Sequence, residues 1–406
     1  MTLFRTVENL SSVTVMLPAS NTARVLEEVF AKGGHGATVF NSRGTLIRDH
    51  WTQSLIPLMS PTMRYIQALV PDDEVDGLIE EIHAVAGLHR PGSGAVFSIP
   101  CEEVLYSVGY PVWNPRDDST TNASLNIHEN LTAIYCITRR GQIEAISRAA
   151  MRAGAHGPVM QLCEGHGLRA GLGWLRITSK PDKELLAVVV DNSDADDVFE
   201  AVVRAGRIGL PGRGIAYRLP VQKGIVNLTS VYGHAHQAAT LEQIITAIDE
   251  LKGDAHWRDQ SVMELGISGR VAGLGLAQSK QADHRDFVSL ICVVPREQME
   301  PLMAAAMRAQ APGINVVYGK FSETEQAATA RVGLTRERGV LRTIARRQQI
   351  ETLRAALIDE AERQQFTEVC LYLQTVRRLA AYIPEIKQRD SAPRYRGAVV
   401  PSHNRR

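Results

Sequence analysis

Several features that define common protein classes are missing from this chain of 406 residues. Its five cysteines include no C-x-x-C pair, which leaves a redox motif or a structural zinc site without support. No G-x-x-x-x-G-K-[ST] segment occurs, which argues against a P-loop nucleotide hydrolase. No apolar run approaches the roughly 18 residues of a membrane-spanning helix. The net charge of +1 gives no reason to expect a nucleic-acid partner.

The N-terminal residues and the cysteines indicate the expected compartment. Residues 1–12 contain no apolar stretch of the kind that forms the centre of a signal peptide. Several cysteines lie inside apolar runs, which is typical of reduced, buried thiols. We therefore expect a cytoplasmic protein that meets a membrane, if at all, through a partner. A metal site needs three or four converging ligands, and the spacing of His, Cys, Asp and Glu in the sequence does not indicate such a set. We therefore expect no metal site.

What the chain does have is internal repetition. P-G-S-G-A-V-F-S-I-P begins at Pro91, and P-G-R-G-I-A-Y-R-L-P begins at Pro211. A shorter relative, A-P-G-I-N-V-V-Y, begins at Ala311. Repetition of a whole segment indicates an architecture built from similar units. The sequence therefore predicts three units.

Each glycine segment follows an apolar strand and an amphipathic helix. Val75, Leu78, Ile79 and Ile82 have the spacing of a helix with one buried face, and the pattern recurs at 195–202 and 299–306. In the first two repeats another strand–helix–strand segment precedes, which gives the order β-α-β-β-α-β of a ferredoxin-like unit. Such a unit leaves one sheet face open. The sequence thus predicts an α+β fold of tandem ferredoxin-like repeats that cover one another as an intrachain pseudo-trimer.

The repeats divide the chain into five predicted segments. They are repeat 1 (1–118), repeat 2 (129–233), a degenerate repeat 3 (234–322), a C-terminal helical extension (323–386) and a disordered basic tail (387–406). The extension is predicted because Leu341, Ile344, Ile350 and Leu353 keep roughly helical spacing. Two roles remain open for it. It packs on the sheets or on a second chain, forming a homo-oligomer, or it docks as a basic helix on a partner or membrane surface.

The end of repeat 1 resembles the PII signal-transduction family. Here G-S-G-A-V-F is followed by C-E-E-V-L-Y-S-V-G, which is similar to that family's G-D-G-K-I-F followed by V-E-E-V-I-R-I-R-T-G. The helix start at Pro71 and the segment H-G-A-T-V from His35 also fit. The resemblance covers about residues 10–115 and 130–233, and more faintly 234–321.

The resemblance implies a regulator and not an enzyme, so no catalytic residue is expected. Family members are trimers that bind adenine nucleotides in clefts between subunits, often together with 2-oxoglutarate or another metabolic anion. For this chain the resemblance implies ATP, ADP or AMP and a small-molecule effector as ligands. It implies a membrane transporter or a metabolic enzyme of nitrogen or inorganic-carbon metabolism as partner. Residues 41–62 match the long partner-contacting loop, with Arg43, Trp51 and Leu55 as candidate contacts.

The glycine turns are the candidate anion sites, because a glycine-rich turn can present backbone N–H groups to phosphate oxygens. The candidate residues are Arg90, Gly92, Gly94, Gly165, Gly167, Arg169, Arg207, Gly212, Arg213 and Gly214. The family's lysine after G-D-G is replaced by Ala95 and Ile215. Two interpretations remain open. Flanking arginines complete a divergent nucleotide site, or the turns are kept for shape in a nucleotide-independent scaffold.

Overall fold

The computed structural model describes residues 4–31, 36–44, 62–90, 92–111, 127–167, 182–227, 286–321 and 336–381. Within these ranges the chain forms sixteen strands and six α-helices. The strands are β1 (Phe4–Val7), β2 (Leu10–Pro18), β3 (Thr38–Gly44), β4 (Thr62–Pro71), β5 (Gly94–Pro100), β6 (Glu103–Ser107), β7 (Leu131–Arg139), β8 (Val159–Gly167), β9 (Asp182–Asp191), β10 (Gly214–Val221), β11 (Lys223–Asn227), β12 (Phe287–Pro295), β13 (Gly313–Phe321), β14 (Arg336–Arg346), β15 (Cys370–Thr375) and β16 (Arg378–Ala381). The helices are α1 (Thr22–Ala31), α2 (Val75–Ala86), α3 (Ile143–Arg152), α4 (Ala195–Gly206), α5 (Met299–Arg308) and α6 (Arg347–Arg363).

The strand pairings define three βαββαβ units. In unit 1 (10–100) the first strand, β2, pairs with the third and fourth strands, β4 and β5, while β3 pairs with β4. The same antiparallel order relates β7–β10 in unit 2 (131–221) and β12–β15 in unit 3 (287–375). The fold is therefore mixed α+β, with ferredoxin-like topology in each unit.

Each sheet has one face toward its own helices and one face toward the other two sheets. Alternation along β7 shows this, since Tyr135 joins a core shared by all three units, while Ile134 and Cys136 pack under α3 and α4. Separate apolar clusters fill the space beneath α1 and α2 and beneath α5 and α6. The helices thus lie outside, and the open faces of the three sheets cover one another.

A strand that follows each unit crosses to a neighbouring unit. These tail strands are β6, β11 and β16, and they pair with β15 of unit 3, β5 of unit 1 and β10 of unit 2. One backbone hydrogen bond of 2.9 Å recurs at the three crossings: Glu102 N to Leu373 O, Gln222 N to Ser98 O, and Arg377 N to Arg218 O. Each unit therefore donates one strand and receives one, which closes the three units into a ring.

The first residue of each tail strand forms an ion pair with the second helix of the unit that receives it. The pairs are Lys223–Asp76, Arg378–Asp196 and Glu103–Arg354. The first two place the cation on the tail strand, and the third reverses the signs. Had β6 joined unit 1 or unit 2, Glu103 would face Asp76 or Asp196. The charges therefore favour the observed order of the ring.

The structure corrects the predicted third repeat. The segment from Ala311 leads from α5 into β13, the second strand of unit 3, and is not a third copy of the glycine turn. The helical prediction for 323–386 is wrong for most of the described part, because β14, β15 and β16 lie there beside α6. Residues 234–285, 322–335 and the predicted tail at 387–406 lie outside the described ranges. Among the described helices, none is long and apolar enough to cross a bilayer.

The misplacement has a physical cause. Both halves of a βαββαβ unit read as strand–helix–strand, so the segment from β12 to β13 fits either half. Arg338 and Arg342 also interrupt the apolar face of β14 that looks toward the centre. Leu341, on the opposite face of β14, and Ile344, on the central face, then stand three residues apart, which is helix-like spacing in the sequence. This part of unit 3 therefore has the sequence pattern of a helical extension.

We predict that the charge of Glu103 stabilises the ring. Glu103→Gln removes a pair that is about one-quarter exposed on each side and should cost about 1 kcal/mol in the free energy of unfolding. Glu103→Lys, which faces Arg354 with a like charge, should cost about 2 kcal/mol. Urea unfolding monitored by circular dichroism measures both.

Glu27→Lys is the matched control, because Glu27 is exposed on α1 and undergoes the same change of charge. Its free energy of unfolding should stay within about 0.5 kcal/mol of that of the unsubstituted protein. Equal effects of Glu103→Lys and Glu27→Lys would show that the pair does not specify the ring.

Candidate ligand-binding cleft

The two glycine turns owe their glycines to close packing of the backbone. Gly94 and Gly214 have φ values of 139° and 140°. A Cβ at Gly94 would lie 2.3 Å from the carbonyl oxygen of Met16, and one at Gly214 would lie 2.0 Å from that of Ile137. Each glycine therefore lets the fourth strand of its unit start directly against the first strand. Gly92 and Gly212 also have positive φ, 76° and 69°.

The turns use part of their own hydrogen-bonding capacity. Ser93 N donates to Arg90 O, and Arg213 N donates to Leu210 O. Arg90 and Arg207 are exposed, and Arg207 closes α4 with a φ of 50°. None of Arg90, Arg207 and Arg213 forms an ion pair with another described residue. The geometry thus gives these turns a structural reason to exist, and their role as anion sites stays a prediction.

The remaining predicted contacts do not form a glycine loop. Gly165 and Gly167 belong to strand β8, where Gly165 lies under the Lys183 side chain, whose Cγ would be 2.6 Å from an added Cβ. Arg169 lies outside the described residues. The sequence predicts a glycine-rich loop over 165–173. This prediction is wrong for 165–167, because β8 continues through them and pairs with β13, and 168–173 lie outside the described residues.

Of the three predicted partner contacts, only Arg43 is described. It lies in β3, and its Nη2 donates to Glu184 Oε1 of unit 2 at 3.0 Å. Its side chain is 41% exposed, while that of Glu184 is 5% exposed. Arg43 therefore helps to join units 1 and 2. Trp51 and Leu55 lie outside the described residues, so the predicted partner loop stays a prediction.

A cleft of about 400 Å³ opens where unit 1 meets unit 3. Its walls are Val39, Asn41, Arg64, Tyr318, Gly319, Lys320 and Glu337. Here β3 and β13 pair at a single position, Lys320 opposite Val39, whereas β13 and β8 pair over four. Gly319 permits the close approach, because an added Cβ would lie 2.8 Å from the Phe40 ring. The two strands then diverge and leave the cleft.

The cleft is electropositive. Arg64 of unit 1 and Lys320 of unit 3 line it, and neither forms an ion pair within the described residues. The carboxylate of Glu337 is paired with Arg296, whose guanidinium also lies 4.5 Å from the centre of the Tyr318 ring. The hydrogen bond that Arg296 donates to the Glu337 carboxylate raises the pKa of Arg296. With Glu337 neutralised in this way, the two remaining cations favour an anion.

Sequence reasoning missed this cleft. Arg64 and Lys320 are far apart in the chain and belong to different units, and neither lies in a repeated motif. The signal available was weak, since both are cations near the ends of otherwise apolar strands. Only the correct position of β13 within unit 3 brings them to one junction.

The described residues show no arrangement typical of catalysis. No three His, Cys, Asp or Glu side chains within these ranges are placed to hold a metal ion. Cys136, Cys163, Cys292 and Cys370 are buried. Burial raises the pKa of the Cys136, Cys163 and Cys370 thiols to about 12. Such thiols are poor nucleophiles near neutral pH.

Comparison with known proteins adds little. No family model and no curated protein matches the chain. The regulatory subunit of aspartate kinase from Thermus thermophilus, ligand-free, shows 12% identity over 50% of this chain and 95% of that one, with a TM-score of 0.17. An unknown protein from Galdieria sulphuraria shows 12% identity, 60% and 97% coverage and a TM-score of 0.18. Aspartate kinase from Synechocystis shows 8% identity, 91% and 44% coverage and a TM-score of 0.20. Such low scores carry no weight for fold or function, and the topology rests on the strand pairings.

We predict that Gly214 and Gly209, five residues apart in one turn, respond in opposite ways to alanine. Gly214→Ala places a methyl group against a backbone carbonyl at a positive φ and should lower the free energy of unfolding by about 3 kcal/mol. Gly209 has no atom within 4 Å of an added Cβ, so Gly209→Ala should be neutral or slightly stabilising. Thermal unfolding of the two variants checks this. Similar stability of both would contradict the packing role of Gly214.

Proposed function

We propose that the protein is a cytoplasmic, non-enzymatic regulator that binds an adenine nucleotide or a related metabolic anion in the cleft between units 1 and 3. The observation that carries this proposal is the cleft itself, of about 400 Å³, lined by Arg64 of unit 1 and Lys320 of unit 3, neither of which forms an ion pair with a described residue. Small-molecule sites usually have volumes of about 300–1,000 Å³ and a few well-placed polar groups.

The position of the cleft suggests how binding could be transmitted. An anion held by both Arg64 and Lys320 draws unit 1 and unit 3 together at the junction where β3 and β13 pair at a single position. Asn41 also lines the cleft and lies three residues before Gly44, the end of β3. Asn41 is also the first residue of the segment 41–62 that is predicted to contact a partner. Ligand binding would bias this segment between states and so change its affinity for a transporter or enzyme of nitrogen or inorganic-carbon metabolism.

A nucleotide-independent scaffold is the second candidate. The packing of Gly94 and Gly214 favours it, because this packing explains both glycines without a phosphate. In that case the cleft would have no nucleotide affinity, and the ring would serve as a rigid support for partner contacts.

Isothermal titration of the full chain with ATP, ADP and AMP separates the two candidates. We expect saturable binding of at least one nucleotide at one site per chain, since the cleft lies at one of the three junctions. Arg64→Gln and Lys320→Gln should each weaken binding about tenfold or more, because each removes a charge-assisted contact of about 1.5–3 kcal/mol.

Arg90→Gln and Arg207→Gln are matched controls, because they remove the same charge at the glycine turns. They should leave the affinity unchanged. Loss of nucleotide binding in these two variants but not in the cleft variants would show that the nucleotide binds at the glycine turns and not in the cleft. No binding at millimolar nucleotide would favour the scaffold.

A further inference from the structure

A small cavity lies where the three sheets meet, away from the cleft. Its volume is about 20 Å³, enough for one water-sized species. It is lined by Phe40, Tyr65, Gln67, Gln161, Leu185, Asn315, Val317, Val340 and Arg342. These residues come from the second and third strands of all three units. The cavity therefore lies at the centre of the ring.

Arg342 brings a positive charge to this cavity. The residue is only 8% exposed. Its Nη1 donates to Tyr217 Oη at 3.0 Å, and its guanidinium lies 5.2 Å from the centre of the Tyr135 ring. Its Nε is buried and has no hydrogen-bond acceptor among the described residues. Within the described residues, Arg342 forms no ion pair with a carboxylate.

The surrounding tyrosines do not supply a negative charge. Burial raises the pKa of Tyr135, Tyr217 and Tyr372, so these hydroxyl groups stay protonated at neutral pH. Tyr65 Oη lies 3.2 Å from Tyr135 Oη, within hydrogen-bonding distance. An arginine side chain does not lose its proton under these conditions. Within the part of the chain that the structure describes, the charge of Arg342 is therefore offset by dipoles and aromatic faces and not by a carboxylate.

Amide groups add further donors at the cavity. Gln161 donates one of its two amide hydrogens to Ser42 Oγ at 3.2 Å, which leaves the other for the cavity. Asn315, which also lines the cavity, lies opposite Arg342 in the pairing of β13 with β14. A cavity with a buried cation and amide donors suits an anion better than a neutral molecule.

The fused chain makes a single central charge feasible. Gln67, Ala187 and Arg342 each lie four residues before the last residue of their strand, at Pro71, Asp191 and Arg346. They therefore occupy equivalent positions in the three units. A ring of three identical subunits would place three arginines together there, whereas this chain places one.

We propose that the central cavity is a structural site for one monoatomic anion, such as chloride, bound by the Arg342 guanidinium and the amides of Gln161 and Asn315. The anion neutralises the buried guanidinium and joins residues of units 2 and 3 at the centre of the ring. This inference does not depend on the cleft or on nucleotide binding.

Two measurements on the full chain test it, with chloride and bromide as probes. Crystals soaked in bromide should show one anomalous peak in the cavity, within hydrogen-bonding distance of the Arg342 guanidinium. In solution, replacing gluconate by chloride at constant ionic strength should raise the unfolding temperature by about 2 °C or more once chloride exceeds its Kd tenfold.

Arg342→Met should abolish this chloride dependence. Arg346→Met is the matched control, since Arg346 lies on the same strand with its side chain 57% exposed, and it should keep the dependence. If Arg342→Met does not fold, the bromide experiment on the unsubstituted protein still shows whether an anion occupies the cavity. Bromide absent from the cavity, together with equal unfolding temperatures in chloride and gluconate, would overturn the proposal and leave water as the occupant.

Discussion

The exchange of tail strands is the constraint on which the rest of the structure depends. Each βαββαβ unit has an apolar sheet face that its own two helices cannot cover, and an open edge at its fourth strand. β6, β11 and β16 pair with those edges and draw the three open faces together. Most of the buried aromatic side chains lie in the shared core that results, including Tyr135, Tyr217 and Tyr372. Without the exchange, this core would be exposed to water.

Fusion of the units into one chain allows the ring to be asymmetric. Equivalent positions carry different residues, as in Gln67, Ala187 and Arg342. The junctions differ as well, since β3 and β13 pair at one position and leave a cleft there. A closed ring of identical subunits would have to repeat every such feature three times. Here the sign of the Glu103–Arg354 pair, the cleft lined by Arg64 and Lys320, and the central Arg342 have no counterpart at the equivalent positions described above.

The sequence predicted those parts of the fold that depend on local periodicity. The stripe at Val75, Leu78, Ile79 and Ile82 is buried as expected, and the strands of units 1 and 2 lie close to their predicted positions. The boundaries of unit 3 could not be predicted, because the two halves of a unit share one strand–helix–strand pattern. In addition, Arg338 and Arg342 break the alternation of apolar residues that would have indicated strand β14. The cleft could not be predicted either. Arg64 and Lys320 meet only through pairing between units, which local sequence does not encode.

Hydrogen exchange of the native protein, followed by mass spectrometry at two protein concentrations, tests the closed ring most directly. If the tail strands complete the sheets within one chain, amides of 103–107, 223–227 and 378–381 exchange as slowly as those of the strands they join, at both concentrations. Rapid exchange of these three segments beside protected central strands would contradict the ring. Protection that disappears on dilution would show that the strands are donated by another chain.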